Sequence, residues 1–145
     1  MPKDPDHVSV VVNCDGAARG NPGPAGIGVV IATPDGTVID TIAEGIGETT
    51  NNVAEYTAVR EGLRRASALG AQEVLLRSDS RLLIEQLRGR FRVKAPHLKP
   101  LHAEVLELSR RFSSIRWEHV PRERNTGADR LANEGVDRWL AEQRR

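Results

Sequence analysis

The period of the hydrophobic positions changes several times along the chain, and each change marks an element. Val8, Val10, Val11 and Val12 form an almost unbroken apolar run, which predicts a central strand covered on both faces. The run ends at Asn13-Cys14-Asp15-Gly16, and a glycine- and proline-rich loop continues to Gly26. A second strand is predicted over 26–32, Thr33-Pro34-Asp35-Gly36 is a turn signal, and a third strand returns over 37–46. From 50 to 69 the spacing becomes helical, with Val53, Tyr56, Val59, Leu63, Ala66 and Leu69 recurring on one face and Gly70 as the stop.

A short strand over 73–77 leads into Ser78-Asp79-Ser80, which offers N-cap chemistry for a helix through Leu82, Leu83, Ile84 and Leu87. A further helix is predicted over 98–112 with Pro100 near its start, then a strand over 114–120 and a charged loop over 121–125. The last helix begins near Thr126 and gathers Ala128, Leu131, Ala132, Val136, Trp139 and Leu140 on one face. The order is βββαβααβα. Strands one and three run the same way, and the helical crossover makes strand four parallel to both. Strand four then pairs with strand one on its free side.

Composition narrows the class. The 145 residues suffice for one domain over 1–145, with 1–7 expected as a flexible leader and 141–145 as a flexible tail. A net charge of +1 gives no global pull on a polyanion, so nucleic-acid binding would need a local patch. Cys14 is the only cysteine, which excludes an intrachain disulfide framework and fits a reducing, cytoplasmic setting. No run is long and apolar enough to span a membrane, and a monomer without a membrane partner is expected.

The candidate chemistry lies in scattered acids. If strands one and four are parallel neighbours, Asp15 and Asp79 leave the sheet at the same end, about one interstrand spacing of ~4.8 Å apart. Two carboxylates that close repel unless a cation lies between them, and oxygen-only ligands suit hard ions such as Mg²⁺ or Mn²⁺. Glu55 and Asp129, in the first turns of their helices, could reach the same edge. Each acid also has a plainer reading: Asp79 as an N-cap, Asp129 as the acid of a Thr126-Gly127-Ala128-Asp129 capping turn, Glu55 as a solvated helix residue, and Asp15 as an Asx-turn. The glycine spacings fit neither a P-loop nor a dinucleotide fingerprint. There is no G-x-S-x-G elbow and no zincin-type histidine pair, so triad hydrolysis and zinc chemistry fit poorly.

Taken in order, Cys14-Asp15-Gly16-Ala17-Ala18-Arg19-Gly20-Asn21-Pro22-Gly23, Thr50-Asn51-Asn52-Val53-Ala54-Glu55, Ser78-Asp79-Ser80 and Asn125-Thr126-Gly127-Ala128-Asp129-Arg130-Leu131-Ala132 together resemble the signature of type 1 ribonucleases H. The resemblance spans almost the whole chain. It implies an α/β ribonuclease H-like fold, a five-stranded mixed sheet of order 3-2-1-4-5 flanked by helices, and endonucleolytic cleavage of the RNA strand of RNA/DNA hybrids. It also implies that Asp15, Glu55, Asp79 and Asp129 bind two Mg²⁺ or Mn²⁺ ions when substrate is bound, with Asp15 between them. Gly16, Asn21, Thr50, Asn51 and Asn52 become candidates for contact with the hybrid's minor groove, with a helix-cap or turn role as the alternative for the asparagines beside Thr50.

Two departures stand out. The loop before the last acid, Pro121-Arg122-Glu123-Arg124-Asn125, lacks the histidine that many members carry, which is similar to a shorter subgroup and makes Arg122 or Arg124 a candidate substitute. Arginine cannot serve as a general base near neutral pH. In place of a long basic protrusion there is only Arg88, Arg90, Arg92, Lys94 and Lys99, whose charge without aromatic partners points to phosphate contact or to a solvated loop. Double-stranded RNA is a second possible substrate. The rivals are a catalytically silent hybrid- or double-stranded-RNA-binding domain, and a DNA-directed nuclease or strand-transfer enzyme of the same superfold.

Overall fold

In the computed structural model, which describes residues 8–145, alternation along β2 sets up two different faces. The strands are β1 (Ser9–Ala18), β2 (Gly23–Ala32), β3 (Val38–Thr49), β4 (Glu73–Ser78) and β5 (Ser114–His119). The helices are α1 (Asn51–Ala68), α2 (Arg81–Leu87), α3 (Lys99–Ser109) and α4 (Thr126–Gln143), with a 3₁₀ turn at Arg122–Arg124. Ile27, Val29 and Ile31 join the main core with Val10, Val12 and Cys14 of β1, beneath α1 and α3. On the opposite face of the same strand, Gly26 and Gly28 lie against α4 instead.

That second face is packed backbone to backbone. A Cβ on Gly28 would lie 2.0 Å from the Ala128 carbonyl oxygen, and one on Gly26 would lie 2.4 Å from that of Ala132. Branched side chains on one face and glycine on the other let α4 settle directly onto the sheet. The first turn of α4, which carries Asp129, is thereby fixed against β1 and β2.

The sheet has the order β3-β2-β1-β4-β5. β1 is antiparallel to β2 and parallel to β4, and β4 is parallel to β5. The register Cys14↔Ser78 is the last β1–β4 pair, so Asp15 and Asp79 each follow by one residue on neighbouring strands. The architecture is the one expected, but several boundaries move. β1 runs two residues, and β2 three, into what the glycine and proline content marked as loop, because Ala17 and Ala18 pair with Gly26 and Ala25 while Gly23 and Pro24 pair with Thr49 and Glu48. The loop shrinks to a tight hairpin closed by the Arg19 N–H on the Pro24 carbonyl.

α3 ends at Ser109 rather than 112, and α4 continues through Gln143, into the stretch expected as a tail. The expected leader, 1–7, lies outside the described residues. Among the described residues no helix is long and apolar enough to cross a membrane.

The α4 contact gives a direct check. Gly28→Ala forces its new methyl into backbone, and the unfolding free energy measured in urea should drop by about 1–3 kcal/mol. An unchanged denaturation midpoint would show that α4 is not held this closely.

Candidate active site

Each acid is placed by a different element. Asp15 continues β1 past its last pairing with β4, where the Cys14 thiol is buried and pushed up by desolvation and by the neighbouring Asp15 charge. Gly16, next along, is required by packing: a Cβ there would lie 2.3 Å from the Ala54 carbonyl carbon. The start of α1 can therefore press against the strand end and bring Glu55 to it. Asp79 follows β4 directly. It is not the cap of α2, because Ser80 takes that role, its hydroxyl accepting the Leu83 N–H at 3.3 Å.

Asp129 is not in a capping turn either. Thr126 is already helical, the N-cap position belongs to Asn125, and no side chain caps that end. Asp79 is thus no cap, and Asp129 keeps from its plainer reading only a first-turn position where negative charge suits the helix dipole.

One open cavity of about 340 Å³ is walled by Asp15, Glu55, Asp79 and Asp129 together, with Gly16, Asn51, Ser80 and Arg122 completing the rim. Arg122 is in this wall and Arg124 is not. A larger recess of about 440 Å³ lies over β1, β4 and β5, but its lining mixes Glu73 with Arg77 and Arg116 and concentrates no single charge.

Electrostatics distinguish the acidic cavity. Asp15 is 9% exposed, and its carboxyl is pushed up from 3.8 to about 8 by burial, then by the Asp79 charge, by a hydrogen bond with Asp129 and that group's charge, and by Glu55. Glu55 rises from 4.5 to about 7, chiefly through burial, with the Asp79 charge adding to it and a hydrogen bond with Ser80 opposing it. The other acids thus make the charged form of Asp15 costly, as closely placed like charges do.

Such a donor set, oxygen-only and short of positive charge, fits hard divalent cations. Among the described residues no three His, Cys, Asp or Glu side chains form a closed metal-holding group.

The other expected residues divide. Thr50 caps α1, its hydroxyl accepting the Val53 N–H at 3.2 Å. Asn21 accepts the Asn51 N–H at 3.1 Å, and Asn51 accepts the Ala18 N–H at 3.0 Å. These two asparagines staple the β1–β2 hairpin to the start of α1, while the capping role itself belongs to Thr50. Asn51 still faces the acidic cavity, whereas Asn52 lines a neighbouring groove.

That groove corrects an expectation. It measures about 520 Å³ and is lined by Arg90, Arg92 and Lys94 together with Phe91, which is 45% exposed. The basic segment therefore has an aromatic partner. The sequence signal was present in Arg90-Phe91-Arg92, an apolar residue outside any periodic pattern between two charges. Glu85 anchors the segment: its backbone carbonyl accepts the Arg90 and Phe91 N–H groups, and its carboxylate pairs with Arg88 at 2.8 Å.

Comparison with known proteins gives the family. A family model described as reverse transcriptase-like matches residues 13–135. A Ribonuclease H of Coxiella burnetii is 34% identical over 145 residues, covering 90% of this chain and 92% of its own length. The chain belongs to the type 1 ribonuclease H family. An RNase H1 named LC11, solved in complex with an RNA/DNA hybrid, superposes with a TM-score of 0.86 at 41% identity, covering 90% of this chain and 99% of that one. A bifunctional protein of Mycobacterium tuberculosis is 48% identical over 131 residues, 90% of this chain but 36% of that protein. The ribonuclease H chain described here thus spans about a third of the length of that relative.

Asp15 and Glu55 hold their protons more tightly in the folded chain than in the unfolded one. The contribution of these two groups to the stability of the metal-free fold is therefore greatest in acid, and it is lost as pH rises from about 4 through about 8. Thermal melts should show a falling Tm over that window, with added Mg²⁺ raising Tm by on the order of a few degrees at about pH 8 and much less at about pH 5. Asp15→Asn should raise the metal-free Tm at the higher pH. A Tm indifferent to both pH and Mg²⁺ would contradict the clustering.

Proposed function

We propose that this chain is a divalent-metal-dependent endoribonuclease that hydrolyses the RNA strand of RNA/DNA hybrids. The observation that carries the proposal is the cavity in which Asp15, Glu55, Asp79 and Asp129 stand together with the Asp15 carboxyl raised to about 8. A fold that concentrates four acids against its own stability has a use for cations there. The likeness of its fold to an RNase H1 solved with a hybrid supports the substrate class.

Asp15, Glu55, Asp79 and Asp129 would hold two Mg²⁺ or Mn²⁺ ions. When bound, such a pair activates the attacking water and neutralises charge building on the scissile phosphate. The chain's own groups do the rest. Ser80 holds Glu55 through a hydrogen bond and, as the α2 cap, is itself fixed. Gly16 and Asn51 border the acids, where bare backbone and an amide suit contact with a ribose 2′-hydroxyl, the group that separates RNA from DNA.

Arg122 is the cation in the wall and suits a phosphate oxygen as a fixed charge, not a proton acceptor. Arg90, Arg92 and Lys94 would take phosphates of the opposite strand, with Phe91 against a sugar or base. The reading takes the chain to act as a monomer in the cytoplasm, where a lone buried thiol such as Cys14 stays reduced.

The test is a cleavage assay with matched hybrid, double-stranded RNA and DNA duplex. The hybrid's RNA strand should be cut in Mg²⁺ or Mn²⁺ and spared in EDTA. Asp79→Asn should lower the rate about 100-fold or more, and Arg122→Ala should cost more than Arg124→Ala. Binding without cleavage in any divalent metal would favour a silent binding domain, and preferential cutting of DNA would overturn the substrate assignment.

A further inference from the structure

Asn125 is 1% exposed, among the largest fully buried side chains, yet it takes no part in the cavity wall. Its bonds reach in three directions. The side-chain Nδ2 donates to the Cys14 carbonyl at 2.9 Å, and Oδ1 accepts from Asn13 Nδ2 at 3.2 Å. The backbone N–H donates to the Arg122 carbonyl at 2.9 Å, and the backbone carbonyl accepts the Asp129 N–H at 3.1 Å. One residue is thus bonded to the strand end that precedes Asp15, to the first turn that carries Asp129, and to the turn that presents Arg122.

Its position makes this use of the amide notable. Asparagine at a helix N-cap ordinarily turns its oxygen onto the N–H groups of the first turn. Here that end of α4 has no side-chain cap, and the amide is spent on β1 instead. An amide is also the group this place needs, since a donor for the Cys14 carbonyl and an acceptor for Asn13 must come from one planar end.

We propose that Asn125 is a positioning residue: it sets the separation of Asp15 from Asp129, and so the affinity of the acidic cavity for divalent ions, without touching ion or substrate. This rests on the metal-site reading above. Groups behind a metal ligand orient it, and their loss costs about 10–100-fold in metal affinity. Asn125→Ala removes both side-chain bonds and adds no charge. Asn13→Ala removes one of them and leaves Asn125 in place.

The experiment is calorimetric titration of Mn²⁺ into the full chain, followed by hybrid-cleavage kinetics. Asn125→Ala should bind Mn²⁺ about 10-fold more weakly, with kcat reduced and the KM for hybrid within about twofold of the parent, and Asn13→Ala should show a smaller loss in the same sense. Val136→Ala, a buried α4 change away from the clamp, controls for stability alone and should leave Mn²⁺ affinity unchanged.

Mn²⁺ affinities for Asn125→Ala and Asn13→Ala within about twofold of the parent would overturn the proposal, as would an equal loss in Val136→Ala. If Asn125→Ala does not fold, Asn13→Ala decides on the same criterion. A parent that binds Mn²⁺ but cuts no hybrid would sink the cleavage reading while leaving the clamp to be judged by affinity. A parent that binds no Mn²⁺ overturns both.

Discussion

Mutual repulsion among four carboxylates at one end of the sheet is the constraint that the surrounding structure must withstand. Asp15 sits at its centre, nearly buried, with Asp79, Asp129 and Glu55 all raising its proton affinity. Left to local forces, such side chains would separate or take up protons. They stay together because each is fixed by an element with strong packing of its own.

The scaffold supplies that fixing through close backbone approach more than through bulk. Gly16 lets α1 reach the end of β1, and Gly28 lets the first turns of α4 lie on β2. The parallel β1–β4 ladder sets Asp15 and Asp79 one residue past a shared pair. The hairpin is tied to α1 by Asn21 and Asn51, and to α4 by Arg19, whose guanidinium pairs with Asp137 at 2.7 Å. Glycine and asparagine thus do for geometry what large apolar residues do for the core beneath α1.

Much of this could be read from the chain itself. The valine run and the period change after Thr50 give the strand, the helix and, through the crossover rule, the neighbours β1 and β4. Convergence of Asp15 and Asp79 follows from that pairing. What could not be read is equally particular. Proline and glycine content made residues 17–25 resemble a loop, yet Ala17, Ala18 and residues 23–25 pair across β1, β2 and β3 because a ladder formed by long-range partners overrides local propensity. Whether Ser78, Asp79 or Ser80 would cap α2 was a choice among adjacent residues of similar chemistry, settled only by backbone direction. The buried role of Asn125 depends on contacts distant in the chain and leaves no periodic trace.

The central claim is that these four acids form one cation site framed by α1, α4 and the β1–β4 edge. Anomalous diffraction from crystals of the chain with Mn²⁺ and an RNA/DNA hybrid measures this most directly. The account requires two Mn²⁺ peaks about 4 Å apart, with Asp15 touching both and Glu55, Asp79 and Asp129 completing the ligand set. Ions bound away from this cavity, or a site in which Asp15 reaches neither, would contradict it.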